Sequence, residues 1–210
     1  MTAVGVRRRD AAHWDRAFKH GAEYVPVDED ELELFRIHVK AEPGMRAVDL
    51  GCGTGSWTRE LAKLGLDVMG FDFSHVAIKK ATALTQGHEW AGPRRKGDAE
   101  ITAPRFGVWD VTGDAIPLHL APRCFDIVTM RHSAAYFGDL QRLLGDARRW
   151  LTPDGVVYIV TPVIEQLPSR LTHRGLTEHE VQTLRTGWRS TEYNVSLDGS
   201  VIAVILQYPR

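Results

Sequence analysis

The stretch Val48–Gly55, VDLGCGTG, decides the fold of this chain. It overlaps a short apolar run, Arg46–Leu50, that predicts a strand, and it leads into apolar positions that recur with a helical period at Trp57, Leu61 and Leu64. A strand, a tight glycine turn and a helix in this order form the first half of a βα unit. Glycine lets the backbone approach a ligand closely, so this turn is predicted to be a ligand-binding loop.

Strand and helix patterns alternate on the C-terminal side of this loop. Further strands are predicted at about 67–71, 105–109, 125–130 and 156–161, and helices at about 74–86, 140–151 and 177–186. The sequence Thr152–Gly155 is a turn signal that ends the second of these helices. Two last strands, about 189–196 and 200–208, flank an Asp-Gly turn and are predicted to be antiparallel. The alternation predicts a doubly wound, Rossmann-like α/β fold with a mostly parallel sheet and helices on both faces.

The first 45 residues lie outside this alternation. His13, Trp14, Phe18 and Tyr24 indicate a helical segment rich in aromatic side chains. We predict that residues 1–45 form a lid and that residues 46–210 form the cofactor-binding domain. A length of 210 residues suits a single core, so the two parts are expected to belong to one domain.

The composition excludes several classes of protein. With 43% apolar and 25% charged residues the chain is globular, and a net charge of −1 does not favour nucleic acid or a membrane surface as a partner. No apolar run approaches the roughly 20 residues that cross a bilayer, and no apolar region follows the arginines at 7–9. We expect a cytoplasmic monomer or homodimer that acts on a small molecule. The two cysteines and the scattered histidines lack metal-ligand spacing, so no metal site is predicted.

Acidic residues at three strand ends restrict the class of ligand that this site can bind. Asp49 would repel a pyrophosphate on the loop but could accept hydrogen bonds from an ammonium group or orient loop amides. The loop also departs from the dinucleotide pattern G-x-G-x-x-G, since Ser56 stands at the third small position, and no Gly-Lys-Ser/Thr of a phosphate loop follows. Asp72 is placed to bind ribose hydroxyls, and Asp110 to contact an adenine. Ribose, adenine and a cation without phosphate describe S-adenosylmethionine.

The sequence resembles the class I S-adenosylmethionine-dependent methyltransferases over about residues 45–208. Besides Val48–Gly55, the resemblance rests on Gly70–Asp72, Asp110, Phe125–Val128 and Leu151–Gly155. It implies a seven-stranded sheet with an antiparallel last strand, S-adenosylmethionine as cofactor and S-adenosylhomocysteine as product. It also implies a set of cofactor-binding residues: Asp49, Gly51, Cys52, Gly53, Gly55, Asp72, Phe73, Asp110, Val111 and Met130. Asp98 is a rival of Asp110 for the adenine, but it lies 28 residues before Asp126, whereas Asp110 lies 16 before it.

The acceptor is expected at the end of the fourth strand, beside the cofactor. His132 titrates near neutral pH and is the candidate general base, with Tyr136 as a helper that orients the acceptor. Arg131 could bind an acceptor carboxylate or lie exposed. The predicted function is methyl transfer to an O, N or S atom of a small molecule, mainly by proximity and orientation. Cofactor binding without methyl transfer, methylation of protein or RNA, and a nucleotide-dependent dehydrogenase are the alternatives.

Overall fold

The computed structural model describes residues 10–22, 25–86, 102–113, 116–117, 120 and 122–208. In these residues six α-helices accompany seven strands. The helices are α1 (Ala11–Lys19), α2 (Glu29–Val39), α3 (Ser56–Lys63), α4 (His75–Gln86), α5 (Leu140–Trp150) and α6 (Glu178–Leu184). The strands are β1 (Arg46–Leu50), β2 (Asp67–Asp72), β3 (Arg105–Val108), β4 (Phe125–Arg131), β5 (Leu151–Pro162), β6 (Arg189–Asn194) and β7 (Val201–Gln207).

The strands form one sheet in the order β3-β2-β1-β4-β5-β7-β6. Neighbouring strands from β3 to β5 are parallel, and β7 runs antiparallel to both β5 and β6. The predicted seven-stranded α/β fold with an antiparallel last strand is thereby confirmed. Chain order reverses between β1 and β4, and in an open parallel sheet this position leaves a crevice outside the carboxyl ends of the strands.

Helices cover both faces of the sheet. On one face α2 and α3 pack on it through Phe35, Trp57 and Leu61; on the other α5 and α6 pack through Leu143, Leu144, Ala147, Val181 and Leu184. Residues Val156–Thr161 of β5 are all buried, as expected for a central strand covered on both sides. None of the described helices is long and apolar enough to cross a membrane.

The connection between α5 and β5 differs from the prediction. The helix ends at Trp150, and Leu151 already pairs with Phe125 of β4. The next pair joins Ile127 to Val156, so Thr152–Gly155 bulge out of the ladder within β5. The turn signal of this segment was recognised, but the pairing of Leu151 with a distant strand is invisible to local patterns.

Local chemistry explains several helix starts. Ser74 Oγ accepts a hydrogen bond from the Ala77 N–H, so the predicted cap of α4 is present. Thr177 caps α6 in a capping box with Glu180. The predicted surface excursion between Gln86 and Pro104 lies largely outside the described residues, as does Asp98.

Candidate active site

A deep cleft opens at the carboxyl ends of β1, β2, β3 and β4, where the fold predicts a ligand. Its volume is about 890 Å³, the open mouth included. Ten of the predicted site residues line it: Asp49, Gly51, Cys52, Gly53, Asp72, Phe73, Asp110, Val111, His132 and Tyr136. Trp14 and Phe18 of the predicted lid segment also line it. The topology therefore brings these separate parts of the chain into one cavity.

Asp49 lies on the floor of the cleft and is 1% exposed. Its two carboxylate oxygens accept hydrogen bonds from Thr58 Oγ1 at 2.7 Å and from Thr129 Oγ1 at 2.8 Å. Burial raises the pKa of this carboxyl to about 6, although both hydroxyls and the Arg131 charge lower it. A carboxylate has about four acceptor positions, so Asp49 keeps capacity for a ligand cation.

Asp72, at the end of β2, is buried beside the glycine loop. Its oxygens accept hydrogen bonds from the Gly53 and Ser74 backbone N–H groups, each at 2.9 Å. Burial raises the pKa of its carboxyl to about 6, and these backbone hydrogen bonds oppose the shift. Asp72 thus orients a loop amide, a role that the sequence analysis considered for Asp49.

Asp110 follows β3, the strand that pairs with β2. Its Oδ1 accepts hydrogen bonds from the Thr112 N–H at 3.0 Å and from Thr112 Oγ1 at 2.7 Å. The preceding Trp109 N–H donates to the Asp72 carbonyl at 3.0 Å, which joins the ends of β2 and β3. Asp72 and Asp110 therefore line neighbouring parts of one wall.

Two predicted cofactor residues do not line the cleft. Met130 is fully buried in the core beneath it, because its side chain points from β4 into the face covered by α5. Gly55 begins α3 with a φ of +78°, and a Cβ there would lie 2.6 Å from the Phe106 ring. Gly55 is therefore required for the backbone turn and for packing.

The end of β4 forms the acceptor side of the cleft. His132 has a φ of +54°, which is strained for a non-glycine residue, and its N–H donates to the Val160 carbonyl at 2.8 Å. Ser133 Oγ donates to the Leu50 carbonyl at 2.7 Å and contacts Gly51, where a Cβ would lie 2.5 Å from the Ser133 Cβ. These contacts hold the His132 side chain at the cleft.

The pKa of His132 differs from the sequence-based expectation. Burial, followed by the nearby Arg131 and Arg174 charges, lowers the pKa of its imidazole to about 3. The sequence analysis assumed titration near neutral pH. In the fold the imidazole is neutral at physiological pH, and a group with so low a pKa is a weak general base.

Arg131 lines the cleft but is buried, so the expectation of an exposed arginine was wrong, whereas binding of an acceptor carboxylate stays a prediction. It forms a bidentate, buried ion pair with Glu31 of α2, with Nε–Oε1 at 2.6 Å and Nη2–Oε2 at 2.7 Å. Its guanidinium also donates hydrogen bonds to the carbonyls of Val25 and Pro26. No local pattern indicates this pair, because the two residues are 100 positions apart. It anchors the N-terminal segment to the end of β4.

Helix α1 contributes Trp14 and Phe18 to the lining of the cleft. Asp15 accepts hydrogen bonds from Ser74 Oγ at 2.5 Å and from the Val76 N–H at 3.2 Å, and Lys80 Nζ donates to the Phe18 carbonyl at 2.5 Å. Trp14 meets the Tyr136 ring edge to face, at 5.0 Å between ring centroids. The helix therefore bridges α4 on the cofactor side and the end of β4 on the acceptor side.

Sequence reasoning missed other residues that line the cleft: Thr54, Ser56, Trp57, Trp109, Thr112, Ser133 and Phe137. The helical period predicts that Trp57 lies on the buried face of a helix, and this is correct. It does not predict that Trp57 also lines the cleft. The Nε1–H groups of Trp57 and Trp109 are buried and have no hydrogen-bond partner among the described residues. Only the three-dimensional arrangement reveals these donors.

Comparison with known proteins supports the same interpretation of the fold. The sequence model of a family described as a methyltransferase domain matches residues 26–194. A demethylmenaquinone methyltransferase of Renibacterium salmoninarum is 30% identical over 121 residues, which are 58% of this chain and 43% of that protein. A ribosomal RNA small subunit methyltransferase C of Alcanivorax borkumensis is 27% identical over 180 residues, 82% of this chain and 50% of that protein.

The matched region spans about half the length of these curated relatives. A solved structure of a SAM-dependent methyltransferase from Aquifex aeolicus superimposes with a TM-score of 0.68 at 16% sequence identity, covering 95% of this chain and 98% of that one. This similarity shows the fold, and the family match over most of the chain gives the relationship. The chain therefore belongs to the class I S-adenosylmethionine-dependent methyltransferase family.

Proposed function

We propose that this chain transfers the methyl group of S-adenosylmethionine to an oxygen, nitrogen or sulfur atom of a small-molecule acceptor. One observation carries the proposal: the acidic strand ends around the glycine loop and the wall formed by His132 and Tyr136 belong to a single cleft. A cofactor held by the first group would present its reactive end to an acceptor held by the second.

The residues of the cleft fit the proposed cofactor. Asp72 retains acceptor capacity for ribose hydroxyls, and Asp110 lies beside it for the adenine amino group. Asp49 offers a buried acceptor for the ammonium group of the methionine part, next to the Gly51–Gly53 loop. The lining also contains side chains that can donate hydrogen bonds, among them Thr54, Ser56 and Thr112. Such a mixture suits a zwitterionic nucleoside better than a phosphate.

S-adenosylmethionine, when bound, supplies a methyl group on a positively charged sulfur. The protein's contribution to an in-line displacement is to hold the acceptor at attack distance and to exclude water. Trp14 and Tyr136 form an aromatic wall for this purpose, and α1 covers the cleft as the proposed lid. The neutral imidazole of His132 can accept a hydrogen bond from the acceptor and orient it. General-base catalysis by His132 stays a prediction, and its lowered pKa favours the positioning role.

The dimensions of the cleft support a small acceptor. A volume of about 890 Å³, the open mouth included, must hold both cofactor and acceptor, which favours an acceptor of small size. Helix α1 is fastened to α4 beside the cleft, and such a lid favours a small acceptor. The relative named as a demethylmenaquinone methyltransferase agrees with this class, whereas the ribosomal RNA relative keeps RNA as an alternative acceptor.

A transfer assay tests the proposal. The protein is incubated with S-adenosylmethionine labelled in its methyl group and with separate fractions of small metabolites, protein and RNA. We expect label in the metabolite fraction and formation of S-adenosylhomocysteine. Label confined to RNA or protein would assign another acceptor class, and cofactor binding without any transfer would favour non-methylating chemistry.

A further inference from the structure

Two further rings extend the aromatic wall that Trp14 and Tyr136 form. The Phe18 ring lies 5.8 Å from the Trp14 ring between centroids, and Phe137 lies against the glycine loop, where a Cβ on Gly51 would be 3.3 Å from its Cζ. All four rings line the cleft, and Tyr136 and Phe137 are only half-buried. An aromatic wall of this kind binds either another aromatic ring or an organic cation.

The charge of Arg174 decides between these two classes of acceptor. Arg174 ends a short 3₁₀ helix, Ser169–Arg174, which contacts the 3₁₀ helix Ala134–Tyr136 that carries part of the aromatic wall. Its side chain is exposed and forms no hydrogen bond or ion pair with the residues that the structure describes. After burial and Arg131, its charge is the next cause that lowers the pKa of the His132 imidazole, so it acts on the acceptor side. An uncompensated positive charge beside the wall repels an organic cation and attracts an anion.

The other charged groups that line the described part of the cleft are already engaged. Arg131 forms its ion pair with Glu31, so its charge is compensated. The lining carboxylates are those of Asp49, Asp72 and Asp110, which the proposed function assigns to the cofactor. None of these three is therefore available to hold an ammonium group of the acceptor.

The need to remove a proton from the acceptor favours the same class. The neutral imidazole of His132 is a weak base, so an aliphatic alcohol, which ionises only with a strong base, would be methylated slowly. An aromatic hydroxyl ionises far more readily, with a pKa of about 10 in tyrosine, and a nearby positive charge favours its ionised form further. One nitrogen of a neutral imidazole donates a hydrogen bond and the other accepts one, so His132 can bind the phenol or the phenolate.

We propose that the acceptor is an aromatic hydroxyl compound, bound as its phenolate with the ring against Trp14 and Tyr136 and the negative charge near Arg174. This inference rests on the proposed function, because it names the substrate class of the same cleft. The phenol proton leaves to water before the transfer. The phenolate oxygen then bonds to the methyl carbon while the carbon–sulfur bond breaks, and the electron pair of that bond stays on sulfur. The products are an aryl methyl ether and S-adenosylhomocysteine.

The test uses para-nitrophenol, whose phenolate absorbs visible light and whose phenol form does not. It is added to the protein saturated with S-adenosylhomocysteine, and its ionisation is followed by absorbance as the pH is varied. We expect bound para-nitrophenol to have a pKa about 0.5 to 1 lower than the free compound, which corresponds to roughly three- to tenfold tighter binding of its phenolate. Benzyl alcohol and benzyltrimethylammonium, a neutral and a cationic probe with the same ring, should bind at least about fivefold more weakly.

Arg174→Gln should remove the lowered pKa of bound para-nitrophenol. Arg174 is exposed and has no partner among the described residues, so we expect this variant to fold normally. Arg170→Gln is the matched control, because Arg170 is an exposed arginine of the same 3₁₀ helix, and it should keep the lowered pKa. Tyr136→Leu should instead weaken the binding of para-nitrophenol about three- to tenfold, since it removes a ring of the aromatic wall.

The contrary outcomes overturn the inference. Tighter binding of benzyltrimethylammonium than of para-nitrophenol would assign an organic cation to the aromatic wall. An unchanged pKa of bound para-nitrophenol, or the same lowering in Arg174→Gln, would exclude the role of Arg174, and absence of binding at millimolar concentration would exclude the phenol class. In each case binding of S-adenosylhomocysteine leaves the proposed function intact, whereas failure to bind it would overturn both.

Discussion

The Asp72 carboxylate accepts a hydrogen bond from the Gly53 N–H at 2.9 Å, although the two residues are 19 positions apart. The acid at the end of β2 therefore holds the loop at the end of β1. Gly53 itself adopts a φ of +55°, and its Cα faces Phe18 of α1, whose ring would lie 3.5 Å from a Cβ there. Gly53 therefore belongs to the glycine loop and also contacts both the proposed ribose-binding residue Asp72 and the proposed lid residue Phe18.

Replacing Asp72 should weaken cofactor binding strongly. In Asp72→Asn the side-chain amide cannot accept hydrogen bonds from both Gly53 and Ser74, and it loses the charge proposed to hold the ribose hydroxyls. We expect a loss of about 2 to 3 kcal/mol in the binding of S-adenosylhomocysteine, measured by calorimetry. Asp139→Asn, in the exposed cap of α5, is the control and should bind normally. Normal binding of S-adenosylhomocysteine by Asp72→Asn would show that Asp72 does not hold the ribose.

Cofactor affinity should fall as the pH decreases through about 6. The pKa of both Asp49 and Asp72 is raised to about 6, so these carboxyls protonate in the free protein well above the usual range. Hydrogen-bond donors of the ligand favour the ionised forms, so binding below pH 6 must release protons and affinity must rise with pH. Calorimetry should give a nearly constant affinity above about pH 7. Well below pH 6, each of the two carboxyls should weaken binding by up to tenfold for each pH unit. Asp72→Asn should reduce this slope; an unchanged slope would exclude Asp72 as its source.

Much of the fold could be predicted from the sequence, because it depends on local patterns. The strand, glycine turn and helix around Val48–Gly55 and the Asp-Gly hairpin between the last strands were both recognised. The seven-stranded sheet with an antiparallel last strand was expected from the family resemblance, and the order of its strands was not predicted. The bulge at Thr152–Gly155 was not predicted, since it arises from pairing with β4. Helix α2 was not separated from α1, because its contact with the sheet through Phe35 leaves little trace in the sequence.

Residues of the candidate site could be predicted only where a side chain of suitable chemistry stands at the end of a predicted strand. Asp49, Asp72 and Asp110 all line the cleft. The partners that determine their properties were not predictable: Thr129 is 80 residues from Asp49, and the burial that lowers the pKa of His132 comes from other elements. Trp57 shows the same limit, because a helical period identifies a buried face without showing that a cleft opens beside it.

Removing α1 should affect turnover more than folding. Trp14 and Phe18 pack on α4 and the cleft, while the sheet and the Arg131 contacts to Val25 and Pro26 lie outside this helix. A protein lacking residues 1–22 should unfold cooperatively and bind cofactor, but with a lower kcat for the acceptor because water is less well excluded. Trp14→Ala should act in the same direction, with the exposed Lys19→Ala as its control. Failure of the shortened protein to fold would place Trp14 and Phe18 in the core.

Breaking the buried ion pair between Glu31 and Arg131 should lower the free energy of unfolding strongly. Replacing both residues by apolar side chains should lower it less. Glu31→Gln leaves the Arg131 charge buried without its partner, so we expect a loss of about 3 kcal/mol or more in the free energy of unfolding, measured with denaturant. Replacing both charged side chains by apolar ones of similar size, in the double variant E31L/R131M, should cost less. Glu33→Gln removes the exposed pair with Arg36 on the same helix and should change stability by no more than about 0.5 kcal/mol. Equal effects of the two glutamate substitutions would show that burial adds nothing to the pair.

His132 should act by position and not by titration. The pKa of its imidazole is lowered to about 3, so it stays neutral across the neutral range, where the rate should follow only the ionisation of the acceptor and of other groups. His132→Ala should lower kcat about tenfold, the worth of one hydrogen bond in the transition state. His132→Asn is the conservative variant, since Asn tolerates the left-handed backbone at a φ of +54° and keeps a hydrogen-bonding group, and it should restore part of the rate. A general base would instead give a loss of roughly 10² to 10⁴-fold that shrinks with acceptors of lower pKa. Measuring kcat of both variants with two acceptors of different pKa distinguishes the roles, because a positioning residue gives the same deficit with each.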